Sequence, residues 1–211
     1  MSIDPAFLIT AFVTLFVVID PIGLTPMFVL LTRGQEARAR RAIARRACLT
    51  AIAILTVFAA FGEAVLGFIG ISMAAFKVAG GILLFLTALD MLFDRRRKRR
   101  EGQADEGQAE DDGDDPSVFP LAIPLIAGPG SIATIILLAG QRPGWEGLAM
   151  VLAVMLAVLA VVLVFFLSSG LLERLLGRTG INVVTRLLGM LLAALSVQFI
   201  LDGLRDYGFA G

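Results

Sequence analysis

Apolar residues come in long runs along this chain, and most of the charged residues fall in the short stretches between them. A helix needs ~20 apolar residues to cross a hydrocarbon core of ~30 Å. Read against that length, hydropathy predicts six membrane spans: Phe7–Leu31, Cys48–Ile69, Ile71–Phe93, Val118–Gly140, Leu148–Gly170 and Ile181–Leu201. The connections differ in charge. Arg33, Arg38, Arg40, Arg41, Arg45 and Arg46 follow the first span, RRRKRR (Arg95–Arg100) follows the third, and Arg174 and Arg178 follow the fifth, with Arg186 just inside the sixth. Of the 18 basic residues, only Lys77, Arg142 and Arg205 belong to the other side. The positive-inside bias therefore puts the loops after spans one, three and five in the cytoplasm and both termini outside.

Two of the spans are interrupted near their midpoints. DPIGLTP (Asp20–Pro26) breaks the first, and IPLIAGPGS (Ile123–Ser131) breaks the fourth. Proline lacks an amide hydrogen and disfavours α geometry in the residue before it, so a helix from Phe7 should stop near Asp20 and one from Val118 near Ile123. Thr25-Pro26 and Gly128-Pro129 each suit a restart, with an N-cap followed by proline at the first helical position. Unwound backbone at membrane depth costs several kcal/mol per unsatisfied polar group unless it is buried in protein or lines a wet cavity. The two breaks are thus expected to face each other. Restarting half-helices offer N–H groups to an anion, and ending half-helices offer carbonyls to a cation, so a zwitterion fits both. Asp20, which costs ~2.5–3.5 kcal/mol at a helix centre on insertion scales, is expected to neutralise a substrate ammonium or to take up a proton. The candidate solute site comprises Asp20, Pro21, Gly23, Thr25 and Pro26 from the first break. Pro124, Ala127, Gly128, Pro129, Gly130 and Ser131 complete it from the second.

The halves of the chain echo each other. Pro124 and Pro129 repeat the spacing of Pro21 and Pro26, and GISMAAFKVAGGILL (Gly70–Leu84) resembles GINVVTRLLGMLL (Gly180–Leu192). Three spans per half is an odd number, so the second copy threads the membrane in the opposite direction. The expected architecture is an all-α membrane protein of two inverted three-helix repeats, residues 1–93 and 118–211, with helices 1 and 4 broken. Residues 94–117, including the acidic EGQADEGQAEDDGDD (Glu101–Asp115), read as a charged, disordered cytoplasmic linker.

Composition then narrows the chemistry. Apolar residues are 58% of the chain and the mean hydropathy is +0.89. One cysteine, Cys48, and no histidine remove disulfide frameworks, zinc clusters, haem ligation and histidine proton relays, so neither a cofactor nor a metal is expected. No HExxH, Ser-His arrangement or Walker loop is present, which argues against a membrane enzyme and leaves no catalytic residue to name. The N-terminus has no basic n-region and carries Asp4, so the first span is expected to act as its own targeting signal.

DPIGLTPMFVLLT, FGEAV, GGILLFL, FPLAIPLIAGPGSI, GINVVTRLLGM and QFILDGL together resemble the MarC (UPF0056) family of bacterial and archaeal inner-membrane proteins, in particular its yhgN branch. The resemblance covers all six spans. It implies two inverted three-helix repeats, a place among transporters related to the lysine-exporter superfamily, and, from archaeal relatives, small neutral amino acids such as glycine and alanine as solutes. Glu63, Gly80, Gly81, Asn182, Arg186, Gly189, Gln198 and Asp202 also match family-like positions, whereas Lys77 and the long linker depart from them.

Among the remaining polar residues, Glu63 and Lys77 are each seven positions from Gly70 and are expected to pair across the hairpin of spans two and three. Glu63, Asn182 and Arg186 are the candidates for coupling or gating. Gly80, Gly81 and Gly189 should permit close helix approach, and the aliphatic fifth span should face lipid. The expected function is secondary transport of a small zwitterion by alternating access, with H+ or Na+ as the candidate coupling ion, lipids as neighbours and no nucleic acid. An exporter of another small metabolite and a non-transporting membrane subunit are the competing readings.

Overall fold

A computed structural model describes residues 4–96, 98–100, 102 and 115–209. Among these residues all regular structure is helical. The helices are α1 (Pro5–Ile19), α2 (Pro21–Leu31), α3 (Ala37–Ile69) and α4 (Met73–Leu92), then α5 (Pro129–Gln141), α6 (Trp145–Leu167) and α7 (Ser169–Tyr207). An irregularly wound segment, Ser117–Ile126, precedes α5; Phe119 and Ile123 leave helical geometry there, each before a cis-proline. Local chemistry explains the boundaries. Asp4 and Ser72 cap α1 and α4 with their side-chain oxygens, and Gly70, at φ 84°, ends α3 in the left-handed conformation that glycine adopts freely. Within α7 a second left-handed glycine, Gly177 at φ 58°, separates a short first stretch from the apolar Thr179–Tyr207.

Five helical stretches are long and apolar enough to cross a bilayer: Pro5–Leu31, Ala37–Ile69, Met73–Leu92, Trp145–Leu167 and Thr179–Tyr207. A sixth candidate is Ser117–Ile126 with Pro129–Gln141, a pair bent by 57°. These are the regions that hydropathy marks out. The charged side chains sort to two ends. Arg46 pairs with Asp115 and Arg40 donates to Ser169 Oγ, drawing together the connections after α2 and α6 and the start of the Ser117 segment. At the other end Asp4 pairs with Arg142, and Lys77 with Asp206 at 2.6 Å. The expected Glu63–Lys77 pair does not form: Glu63 is exposed on α3, and Lys77 reaches α7 instead because α4 packs there rather than along α3.

α4 and α7 run antiparallel and very close. A Cβ on Gly81 would lie 2.8 Å from the Ser196 carbonyl, and one on Gly189 would lie 2.9 Å from Met91 Cβ, so small residues set this interface as expected. The larger core joins α1, α2, α3, α5 and α6, with Phe28 stacked on Phe166 at 4.4 Å. The fifth span is thus a correction. α6 buries Val151, Met155, Val158, Val162 and Phe166 in this core rather than lying outside it. A helix that is aliphatic on every side shows no polar face from which its buried side can be read. The other side of α6 keeps Leu156, Val164 and Leu167 exposed, and exposed apolar residues also follow α3, from Leu49 through Phe58 and Phe61 to Phe68, surfaces suited to lipid.

Candidate functional site

Both interruptions exist, and they lie at one depth. At ~1.5 Å per residue, α1 sets Asp20 about 22 Å from the Asp4–Arg142 end, and α5 sets Gly128 about 20 Å from it. α1 stops at Ile19 because Pro21 has no amide to continue the ladder. Asp20 turns the chain in the left-handed conformation, φ 58° and ψ 67°, which aspartate tolerates better than most residues. Its own amide still donates to the Phe16 carbonyl, and its Oδ1 accepts from Gly23 N at 3.0 Å, so one residue closes α1 and opens α2. The restart expected at Thr25-Pro26 is corrected accordingly. The Asp20 carboxylate caps at once and Pro21 takes the first helical position, leaving Pro26 inside α2. Gly23 is required because a Cβ there would overlap the Asp20 carboxylate.

The second break follows the expected plan more closely. Gly128 is the N-cap of α5 and Pro129 its first residue. A Cβ on Gly128 would collide with the Pro124 carbonyl. Ser131 Oγ donates to the Ile126 carbonyl at 2.7 Å and Ala127 N to the Ala122 carbonyl at 2.8 Å, which satisfies part of the unwound backbone. The Gly130 and Ser131 amides begin α5 with no carbonyl one turn behind them inside the helix. The breaks approach each other closely: a methyl group on Gly130 would lie 3.3 Å from Val18 Cγ1.

Between them is a cavity of about 330 Å³, whose lining includes Val18, Thr87, Asp90, Arg96, Arg99, Arg100, Pro124 and Gly128–Ser131. That volume is at the small end of the ~300–1,000 Å³ typical of small-molecule sites. A second cavity, of about 30 Å³, adjoins Asp20, Gly23, Pro26, Asn182 and Thr185, room for water only. Pro21, Thr25 and Ala127 are buried close to these walls. Asn182 therefore reaches the site. Glu63 and Arg186 are exposed and line neither cavity.

The arginines were not expected here. Residues 95–96 and 98–100 are helical and fold back against the first break; the rest of the anticipated linker lies largely outside the described residues. Arg100, 5% exposed, donates to Asp20 Oδ2 at 3.1 Å and to the Ile19 carbonyl at 3.0 Å. Arg96, 7% exposed, donates to the Val18 carbonyl and to Met91 Sδ. The carbonyls at the end of α1 and the Asp20 carboxylate do attract cations, as their polarity demands. In this structure those cations are the chain's own guanidinium groups. Asp90, near the end of α4, pairs with Arg99 at 3.0 Å on the cavity wall. A run of six cations gives no sign of which ones turn inward; the only hint is that Arg96 and Arg100, one turn apart, share a helix face.

A sequence model described as MarC family integral membrane protein matches residues 6–207. The chain belongs to the MarC family. It is 38% identical over 203 residues to a UPF0056 membrane protein of Methanocaldococcus jannaschii, covering 96% of this chain and 98% of that one. With a UPF0056 membrane protein of Aquifex aeolicus it shares 41% identity over 199 residues, 94% and 92% of the two chains. With the UPF0056 inner membrane protein YhgN of Escherichia coli it shares 37% over 198 residues, 94% and 96%. No solved structure matches. The MarC protein described here is an integral, multi-pass membrane protein with an inner-membrane relative.

Proposed function

We propose that this MarC protein is a secondary transporter of small neutral amino acids, zwitterions of the size of glycine and alanine, and that the solute sits between the two broken spans. One observation supports the reading above the others. A cavity of about 330 Å³ opens beside the turn at Asp20 and the unwound stretch before α5, and the start of α5, three arginines and the Asp90 carboxylate share its wall. Non-helical backbone at membrane depth is tolerated where it is buried in protein or lines a water-filled cavity, and here it meets a cavity with charged walls. A substrate carboxylate fits the arginine and α5 side, and its ammonium fits the Asp90 side.

In this reading residues 1–93 and 118–211 are inverted repeats that rock about the site, as paired discontinuous helices do in other transporters. With the arginine-rich end assigned to the cytoplasm by the positive-inside bias, this reading takes the cavity beside the exposed Arg99 as inward-facing. The Asp4–Arg142 pair then joins the opposite ends of α1 and α5 and closes the outer side. The test is counterflow of labelled glycine and alanine in proteoliposomes, with and without Na+ and pH gradients. Exchange by the wild-type chain, reduced at least tenfold in Asp90→Asn, whose carboxylate is on the cavity wall, is the expected result. Absence of exchange for every small amino acid tried would defeat the proposal.

A further inference from the structure

Away from the breaks, a separate cavity of about 150 Å³ is framed by the ends of α2 and α6 and the starts of α3 and α7. Phe28 and Phe166, stacked at 4.4 Å, give it an apolar floor, and Arg40, Arg41, Ser169 and Gly170 supply its polar side. Arg40 is held in place. Its guanidinium donates to Ser169 Oγ at 3.0 Å and lies over the Phe28 ring, 5.6 Å from the centroid, and it makes no other hydrogen bond among the described residues. A planar fork of five donors fixed in this way loses little further freedom on meeting an anion. Ser169 is 2% exposed; it accepts from Arg40, while its own hydroxyl hydrogen has no acceptor among the described residues. The neighbouring Ser168 differs, since it donates to the Val164 carbonyl at 2.6 Å. Among the described side chains no carboxylate lines this cavity. Glu36, one turn before Arg40, is exposed and forms no ion pair with either arginine, and Asp115 is taken by Arg46 at 2.5 Å. The space is far above the ~10–15 Å³ that admits one water, and it suits a phosphate with its first ester carbons. Beside it Leu167, Leu171 and Leu175 are each more than half exposed, the last two one turn apart on α7.

We infer that this cavity holds the phosphate of an anionic phospholipid, with Arg40 and Arg41 on its oxygens, the Ser169 hydroxyl donating a further hydrogen bond, and the acyl chains along Leu167, Leu171 and Leu175. Arginine forks match the paired oxygens of a phosphate, and basic pockets between spans on the cytoplasmic side, where the positive-inside bias puts this end, are suited to lipid headgroups. A soluble phosphate would share the arginine contacts but would leave the leucines bare, so the apolar surroundings favour the lipid. The bound headgroup ties the start of α3 to the start of α7. The inference is independent of the solute cavity and does not require transport.

The experiment is lipid-dependent thermal stability of the purified full chain in an uncharged detergent. Dihexanoylphosphatidylglycerol, dihexanoylphosphatidylcholine and sodium phosphate are each titrated at equal ionic strength. Phosphatidylglycerol is expected to raise the melting temperature saturably, and phosphatidylcholine and inorganic phosphate to do so only at much higher concentration. Arg41 is exposed and makes no hydrogen bond or ion pair among the described residues, so Arg41→Gln removes a ligand contact without disturbing the fold. It should weaken phosphatidylglycerol binding about fivefold, as one arginine near an anionic headgroup implies, and Arg40→Gln should weaken it at least as much. Arg45→Gln, also exposed but outside the cavity, should leave the affinity unchanged. Equal response to the two lipids would overturn the inference, as would saturation by inorganic phosphate at the concentration that suffices for phosphatidylglycerol, which would assign the site to a soluble phosphate. Unaltered affinity in Arg41→Gln, or an equal loss in Arg45→Gln, would also overturn it, the latter by showing diffuse attraction to the basic end in place of a site.

Discussion

The Asp20–Arg100 pair offers a direct energetic test of the first break. Both side chains are buried, and one N–H···O contact of 3.1 Å joins them while Arg100 also holds the Ile19 carbonyl. At that separation two unit charges attract by roughly 5 kcal/mol at an effective dielectric of 20, most of it offset by desolvation. Removing one partner leaves the other as a lone buried charge, which costs about 3–5 kcal/mol. Asp20→Asn preserves an amide oxygen to accept from Gly23 N and tolerates the left-handed turn, so its loss of about 3 kcal/mol reports the charge rather than the cap. Arg100→Gln should cost a similar ~3 kcal/mol. With both charges gone the double variant should lose only about 2 kcal/mol, well short of the ~6 kcal/mol of independent sites. Reversible unfolding in mixed detergent and dodecyl sulfate micelles reads these differences. An additive double variant, or single variants within ~0.5 kcal/mol of wild type, would mean that the arginine does not occupy the break.

Other outcomes follow from the packing. Gly23→Ala forces the Asp20 carboxylate aside and should destabilise by about 1–3 kcal/mol, seen in the same unfolding assay. Gly81→Ala pushes α4 off the Ser196 carbonyl and should cost a similar ~1–3 kcal/mol, while Gly70→Ala meets open space and loses only from its positive φ, by roughly 1–2 kcal/mol. Phe166→Ala removes a fully buried ring from its stack on Phe28 and should cost about 3–5 kcal/mol. Asp4→Asn keeps a side-chain oxygen to cap α1 and breaks only a pair whose side chains are about a third exposed, so its effect on stability should stay under ~1 kcal/mol.

Sequence reading went furthest where one residue type has a single physical consequence. Proline removes an amide from the helix ladder, so Pro21 and Pro124 disclosed both breaks, although Pro26 is accommodated inside α2, and Gly128-Pro129 disclosed the restart of α5. The first restart was misplaced because Asp20 serves two helices at once, a role that needs a left-handed turn no pattern announces. Small residues marked a close helix approach but not its partners: Gly81 meets the Ser196 carbonyl of α7, and Gly80 meets Leu137 of α5. What stayed hidden depended on tertiary partners. Arg96 and Arg100 are two of six consecutive cations, and the site draws them in only because the end of α1 leaves carbonyls and a carboxylate unpaired. The buried face of α6 was hidden for the opposite reason, a uniformly apolar sequence.

Transport by this protein requires a polar cavity between the two breaks that solute can enter. Its most direct test is thiol accessibility at Thr87, on the cavity wall, in a chain whose buried Cys48 has been replaced by alanine. Thr87→Cys should react with a membrane-impermeant thiosulfonate from the arginine-bearing side alone, and glycine should slow the reaction several-fold. A thiol that reacts from neither side, or at a rate indifferent to every solute offered, would contradict the cavity's role.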